Sequence, residues 1–222
     1  MDEKYLFYIT LVISIVVQLI TGITGIAVFF VEVPIAYLII RQLLILELVV
    51  QIFEGIFYFW LAYNFTKVIN VTPKRYIDWA ITTPTMLITL MVYLIYLNRT
   101  SDLEFFTVLK DNSSVFVPVV LLNWLMLLFG YLGEMRIIPV LLGTFLGFIP
   151  FSLYYYIIYV NYVAPTEVGH LLFWYFFFFW SMYGFVAVLP YYIKNSFYNI
   201  LDLFSKNFFG IFLSYMIFSG NF

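Results

Sequence analysis

No cysteine occurs in the chain, histidine occurs once, as His170, and only 10% of the 222 residues are charged. The absence of thiols excludes disulfides, thiol catalysis and cysteine-based metal sites. A lone histidine in Glu167-Val168-Gly169-His170, where an apolar run begins, reads as a solvated helix-end residue, so no metal site is expected. With a formal net charge of -2 the chain carries no basic patch for nucleic acid, and it has no glycine-rich phosphate loop and no internal repeat. No constellation for enzyme catalysis stands out, and the chain is not read as an enzyme.

Apolar residues fill the place of everything missing: 65% of the chain is hydrophobic, 23% aromatic, and the mean hydropathy is +1.04. Such a composition belongs in a lipid bilayer. Crossing roughly 30 Å of hydrocarbon takes about 20 apolar residues in a helix. Runs of that length lie near 5–30, 35–62, 74–97, 115–133, 137–161, 168–192 and 196–218, which predicts an integral, multi-pass protein of seven spans. The expected breaks are Val-Glu-Val-Pro at 31–34, Asn70 to Pro73, Asn98 to Ser114, Gly-Glu-Met-Arg at 133–136, Ala164-Pro165-Thr166 and Lys194-Asn195. The first run is too long for a signal-peptide core and lacks a small-residue cleavage site, so it reads as a retained helix. Lys67, Lys74 and Lys194 fall in one set of loops and Arg99 and Lys110 in the other, so charge bias gives no orientation.

Against this background the ionisable residues at membrane depth form a short list: Glu47 and Glu54 in the second span, Arg75 and Asp78 in the third, Asp202 and Lys206 in the seventh. A charge at the bilayer centre costs roughly 2.5 to 3.5 kcal/mol even on insertion scales, so such groups face the bundle interior and pair, or serve an ion pathway. Asp202 and Lys206 stand four apart and project from one helix face. A mid-span lysine in apolar surroundings is a nucleophilic amine able to form a Schiff base with an aldehyde. A protonated Schiff base needs anions; Asp78 is a second one, and Arg75, three residues earlier, balances the surplus negative charge.

Arg75-Tyr76-x-Asp78-Trp79-x-x-Thr82-Thr83-Pro84, with Leu201-Asp202-x-x-x-Lys206 on the last span, resembles the microbial (type 1) rhodopsins over nearly the whole chain. The resemblance implies an all-α membrane protein, a seven-transmembrane-helix bundle forming a single domain over residues 1–222. It also implies all-trans retinal as a protonated Schiff base on Lys206, with Asp78 and Asp202 as counter-ions beside Arg75 and with Trp79 packed on the polyene. Pocket positions carried over are Thr82, Thr83 and Met86 on the third span, Asn123, Met126 and Gly130 on the fourth, Gly143 and Thr144 on the fifth, and Trp180 and Tyr183 on the sixth. Two positions depart from the pattern: Gly184 stands where many members have proline, and Ala187 replaces an aromatic seven residues beyond Trp180.

The family contains pumps, channels and sensors on one scaffold, so function rests on other residues. Thr89 has no carboxyl where proton pumps usually keep a donor, which disfavours an efficient pump; Glu47 from another helix, or slow delivery by water, is the substitute source of the proton. Glu47, Gln51 and Glu54 recur at i, i+4 and i+7, stacking two carboxylates about 10.5 Å apart and an amide on one helix face. Ser14 and Gln18 make a similar pair on the first span, and Asn199, Asp202 and Ser205 do so on the seventh. Polar stripes on spans one, two, three and seven would make a seam fit for cations, or a closed network in which the groups satisfy one another. These features resemble the first group of viral rhodopsins, which are light-gated cation channels. The leading expectation is thus a light-gated cation channel, with an outward proton pump as alternative and a sensor third. The expected partners are the lipid bilayer and monovalent cations or protons, with no nucleic acid; oligomeric state and host membrane are left open.

Overall fold

The computed structural model describes residues 2–98, 102–163 and 166–222. Among them, seven helices are long and apolar enough to cross a membrane: α1 (Glu3–Phe29), α2 (Leu38–Asn64, preceded by a 3-10 turn at Ile35–Tyr37), α3 (Thr72–Leu97), α4 (Ser113–Glu134), α5 (Val140–Tyr162), α6 (Glu167–Ala187) and α7 (Tyr191–Ser219). A short helix, Phe105–Asp111, precedes α4. Glu104 caps it, accepting from the Phe106 and Thr107 amides, and the Thr107 contacts hold this exposed carboxyl below its ordinary range. Of the expected breaks, Ala164-Pro165 and the loop residue Arg99 lie outside the described residues.

One boundary differs from the sequence reading. The sixth span ends at Ala187 and the seventh begins at Tyr191, because Pro190 ends one helix and caps the next. Lys194 and Asn195, whose polarity reads as a loop, therefore sit inside α7, buried. Lys194 Nζ is 2.6 Å from Glu134 Oε2 at the end of α4, and Asn195 faces α3. A buried polar pair on a helix is tolerated when its partners are in place, and here they are. The far end of α7 closes at Gly220, whose φ of 69° is the left-handed cap conformation.

Neighbouring helices pack in sequence, and α7 closes the ring against α1 and α2. α3 and α7 are the best covered, with 67% and 61% of their apolar windows buried against 17% for α4 and 22% for α6. Lipid-facing residues therefore dominate α4 and α6, while α3 and α7 present the chemistry. Local sequence ties the layers together. Pro84 has no N–H to give to Ala80 O, four residues earlier, and the indole of Trp124 on α4 donates to that carbonyl at 2.9 Å.

Candidate functional site

Lys206 is presented by an irregular turn. Leu203–Asn207 is π-helical inside α7, so the regular spacing assumed for Asp202 and Lys206 is widened by the bulge. The carbonyls around it find partners on neighbouring helices: Tyr175 on α6 donates to Phe204 O at 2.7 Å, and Gln51 on α2 to Lys206 O at 3.5 Å.

Three carboxylates on three helices surround the amine. Lys206 Nζ is 2.5 Å from Asp78 Oδ2, 3.8 Å from Asp202 Oδ1 and 4.0 Å from Glu54 Oε1. The surroundings of the nitrogen are thus anionic, not apolar as its place in the sequence suggests. Glu54, read from the sequence as part of an ion path near the level of Arg75 and Asp78, also belongs to this cluster.

The anions are held differently. Asp202 Oδ2 accepts from Tyr58 at 2.6 Å and from Arg75 at 3.5 Å, while Oδ1 accepts from Tyr183 at 2.6 Å. Among the described residues, Asp78 Oδ1 and both Glu54 oxygens have no hydrogen-bond partner. Thr82 does not help Asp78, because its hydroxyl donates to the main-chain oxygen of residue 78 at 2.9 Å. Arg75 also departs from expectation, since it turns from Asp78 toward α7. Its Nε donates to Asn195 Oδ1 at 3.0 Å and its Nη2 to Asn199 Oδ1 at 2.5 Å. The guanidinium lies over Phe57 and Tyr198, 5.1 and 5.6 Å from their centroids.

Polar groups of α1, α2, α3 and α7 meet along one seam. Ser14 donates to Asn199 O at 3.0 Å, Asn199 to Thr10 Oγ1 at 3.1 Å, and Gln18 to Gln51 O at 2.7 Å. Glu47 lies next to Thr89, but neither of its oxygens has a partner meeting hydrogen-bond geometry.

On the other side of Lys206 an apolar cavity runs between α3, α4, α5 and α6. Of the residues expected in the pocket, Trp79, Thr83, Met126, Gly130, Gly143, Thr144, Trp180 and Tyr183 line it, together with Lys206. Thr82, Met86 and Asn123 do not. Asn123 stands behind Thr83, donating to its hydroxyl at 2.7 Å, and Met86 is fully buried in the main core. The departures from the family pattern both line the cavity. Gly184 makes room for Phe148 of α5, whose Cζ would lie 2.6 Å from a Cβ at 184.

The lining suits a long apolar polyene, with aromatic walls, glycines at the far end and an amine beside carboxylates at the near end, around a cavity of about 90 Å³. Sequence reasoning missed Tyr58, Asn195, Tyr198 and Phe148. The first two carried a signal, Tyr58 extending the Glu54 stripe by four residues and Asn195 preceding Asn199 by four; the aromatics are lost among many others.

Residues 10–220 match the family described as Bacteriorhodopsin-like protein. The chain belongs to that family. A crystal structure of viral rhodopsin OLPVRII is 28% identical, with a TM-score of 0.83 and 99% of each chain covered. Two further crystal structures share the fold at lower identity. The blue light-absorbing proteorhodopsin from Med12 is 19% identical, with a TM-score of 0.74 and 97% and 98% of the chains covered. The light-driven proton pump LR (Mac) from Leptosphaeria maculans is 17% identical, with a TM-score of 0.74 and 99% and 96% covered. No curated protein matches by sequence. This bacteriorhodopsin-like protein is therefore an integral, multi-pass member of the light-driven retinal proteins.

Proposed function

We propose that this protein holds all-trans retinal on Lys206 and acts as a light-gated cation channel whose path follows the α1–α2–α3–α7 seam. Retinal, when bound, supplies light absorption and a change of shape. Lys206 anchors it, Asp78 and Asp202 balance the positive charge at the nitrogen, and Trp79, Trp180 and Tyr183 hold the chain of the chromophore.

The observation that carries the channel reading is the chemistry of the seam. Its buried atoms without partners at Gln18, Glu47, Gln51 and Glu54 are all oxygens, an acceptor-only surface that suits cations and rejects anions. At the α1–α2 loop a cavity of about 520 Å³ carries Glu32, Arg41 and Gln42 on its wall, five residues before Glu47 on α2. That cavity supports a mouth for the path, with Arg75 and its asparagines closing the opposite end at rest.

A specific contact favours the second reading, an outward proton pump: Glu47 stands beside Thr89, offering a carboxyl where Thr89 has none. Voltage-clamp recording under illumination separates the two. A channel current reverses sign with driving force and follows external sodium; an outward current that never reverses and ignores sodium would establish the pump instead.

A further inference from the structure

On the α1–α2-loop side of Lys206, helices α1, α2 and α7 carry buried side-chain oxygens that accept no hydrogen bond among the described residues, and the Ser214 hydroxyl of α7 is likewise unpaired. Gln18 on α1, Glu47 and Gln51 on α2 and Asn207 on α7 are each at most 5% exposed. The amide orientations are fixed by what their nitrogens do. Gln18 donates to Gln51 O at 2.7 Å, Gln51 to Lys206 O at 3.5 Å, and Asn207 to Asp202 O at 3.4 Å. Flipping any of them would set oxygen against oxygen, so Gln18 Oε1, Gln51 Oε1 and Asn207 Oδ1 are left over. Among the described residues none of these has a hydrogen-bond partner, and neither has either oxygen of Glu47.

The nearby hydroxyls are already committed. Thr89 donates to Thr85 O at 3.0 Å and Thr21 to Val17 O at 2.9 Å. The helices come close here because α7 has Gly210, where a Cβ would lie 3.8 Å from both Glu47 Cβ and Thr21 Cγ2. Asn207 and Ser214 flank Gly210 on that face, three and four residues away. Among the described residues, no lysine, arginine or histidine forms an ion pair with Glu47.

Five acceptor oxygens, two of them on one carboxylate, are a poor match to a single proton, which satisfies one of them and leaves the others orphaned. They match a hard cation, whose lost hydration is replaced by carbonyl and carboxylate oxygens. One carboxylate sets the charge at one. We propose that the dark protein binds a dehydrated, sodium-sized monovalent cation between Glu47, Gln18, Gln51 and Asn207. The site lies on the proposed cation path and rests on that reading for its role in conduction, though not for its occupancy.

Dark infrared spectra of the purified pigment, taken at one pH in sodium chloride and in N-methylglucamine chloride of equal ionic strength, test it without any photocurrent. With the large cation, Glu47 takes up a proton and shows a protonated-carboxyl band. Sodium should abolish that band in a saturable way, and Glu47→Gln should lack it in both salts. Gln18→Leu, checked for intact colour, should raise the half-saturating sodium concentration about tenfold, the effect of losing roughly 1.4 kcal/mol of ligation. Gln51→Leu serves if Gln18→Leu forms no pigment. A Glu47 band that persists in saturating sodium, or one absent from both salts, overturns the site. A non-reversing photocurrent beside a normal sodium titration would instead remove the channel reading and leave the site standing.

Discussion

Asp78 gives Lys206 its shortest contact, 2.5 Å from Oδ2 to Nζ, and no other side chain bonds that carboxylate among the described residues. Asp202 is farther, and its charge is already spread over Tyr58, Tyr183 and Arg75. With retinal on Lys206 as proposed, Asp78 is the anion whose loss the chromophore should feel most. Removing negative charge beside the nitrogen destabilises the cationic ground state more than the excited state, whose charge has moved toward the ring. Asp78→Asn should absorb to the red of the parent, acidification of the parent should give the same shift, and the variant should lose that acid transition. An unchanged maximum with a full titration would make Asp202 the dominant anion.

Lys206→Ala should insert normally and form no visible pigment with retinal. Among the described residues Lys206 is the one lysine on the wall of the apolar cavity, so no other amine is placed to replace it. Covalent retinal with the parent's spectrum in this variant would place the attachment elsewhere.

Tyr58 tests how Asp202 is kept charged. Its hydroxyl is 2.6 Å from Asp202 Oδ2, and both side chains are at most 1% exposed. Tyr58→Phe leaves that oxygen with Arg75 alone at 3.5 Å. The expected cost is about 1–3 kcal/mol of stability, with absorption moving to the blue as Asp202 pulls harder on Lys206. Thermal bleaching and the absorption spectrum measure the two effects; a red shift would mean that Asp202 loses its charge.

The number of spans and the meeting of Lys206 with Asp78 and Asp202 were legible because each rests on a strong local signal: uninterrupted apolar length, or a charge where charge is expensive. The direction of Arg75 was not. Its spacing from Asp78 on α3 makes them neighbours in a helical sense, but Asn195 and Asn199 reach it from a helix about 120 residues away, and no local pattern encodes that meeting. The π turn at Leu203–Asn207 was equally hidden, since its carbonyls depend on Tyr175 and Gln51 from other helices. The α6–α7 boundary went astray because polarity at Lys194-Asn195 outweighed Pro190 in the reading, whereas backbone chemistry favours the proline.

Two glycine substitutions separate close packing from helix propensity. A Cβ on Gly143 would sit 2.7 Å from Phe129 O and 3.1 Å from Gly133 Cα, both backbone atoms that cannot swing aside. Gly143→Ala must push α4 and α5 apart at the cavity wall and should cost about 1–3 kcal/mol in thermal stability of the pigment. Gly22 has nothing within 4 Å of such a Cβ, so Gly22→Ala should be neutral or stabilise by up to about 1 kcal/mol. Equal effects at the two sites would mean that the α4–α5 contact is not tight.

Glu54 separates colour from conduction. Lys206 and Arg75 bring two positive charges to the cluster, while Asp78, Asp202 and Glu54 bring three carboxylates. One proton among the three would make the cluster neutral, and Glu54, whose oxygens accept no hydrogen bond among the described residues, is expected to carry it at rest. Glu54→Gln reproduces that neutral form, so the maximum should move far less than in Asp78→Asn. Conduction should respond differently, because a path past Lys206 must release that proton and use the oxygens of Glu54 to carry cations on from Gln51 and Glu47. Photocurrent against voltage for the parent and Glu54→Gln, at two external sodium concentrations, should show a smaller current and a weaker sodium dependence of the reversal potential in the variant. A red shift as large as that of Asp78→Asn would make Glu54 a resting anion at Lys206, and an unaltered reversal potential would put Glu54 outside the path.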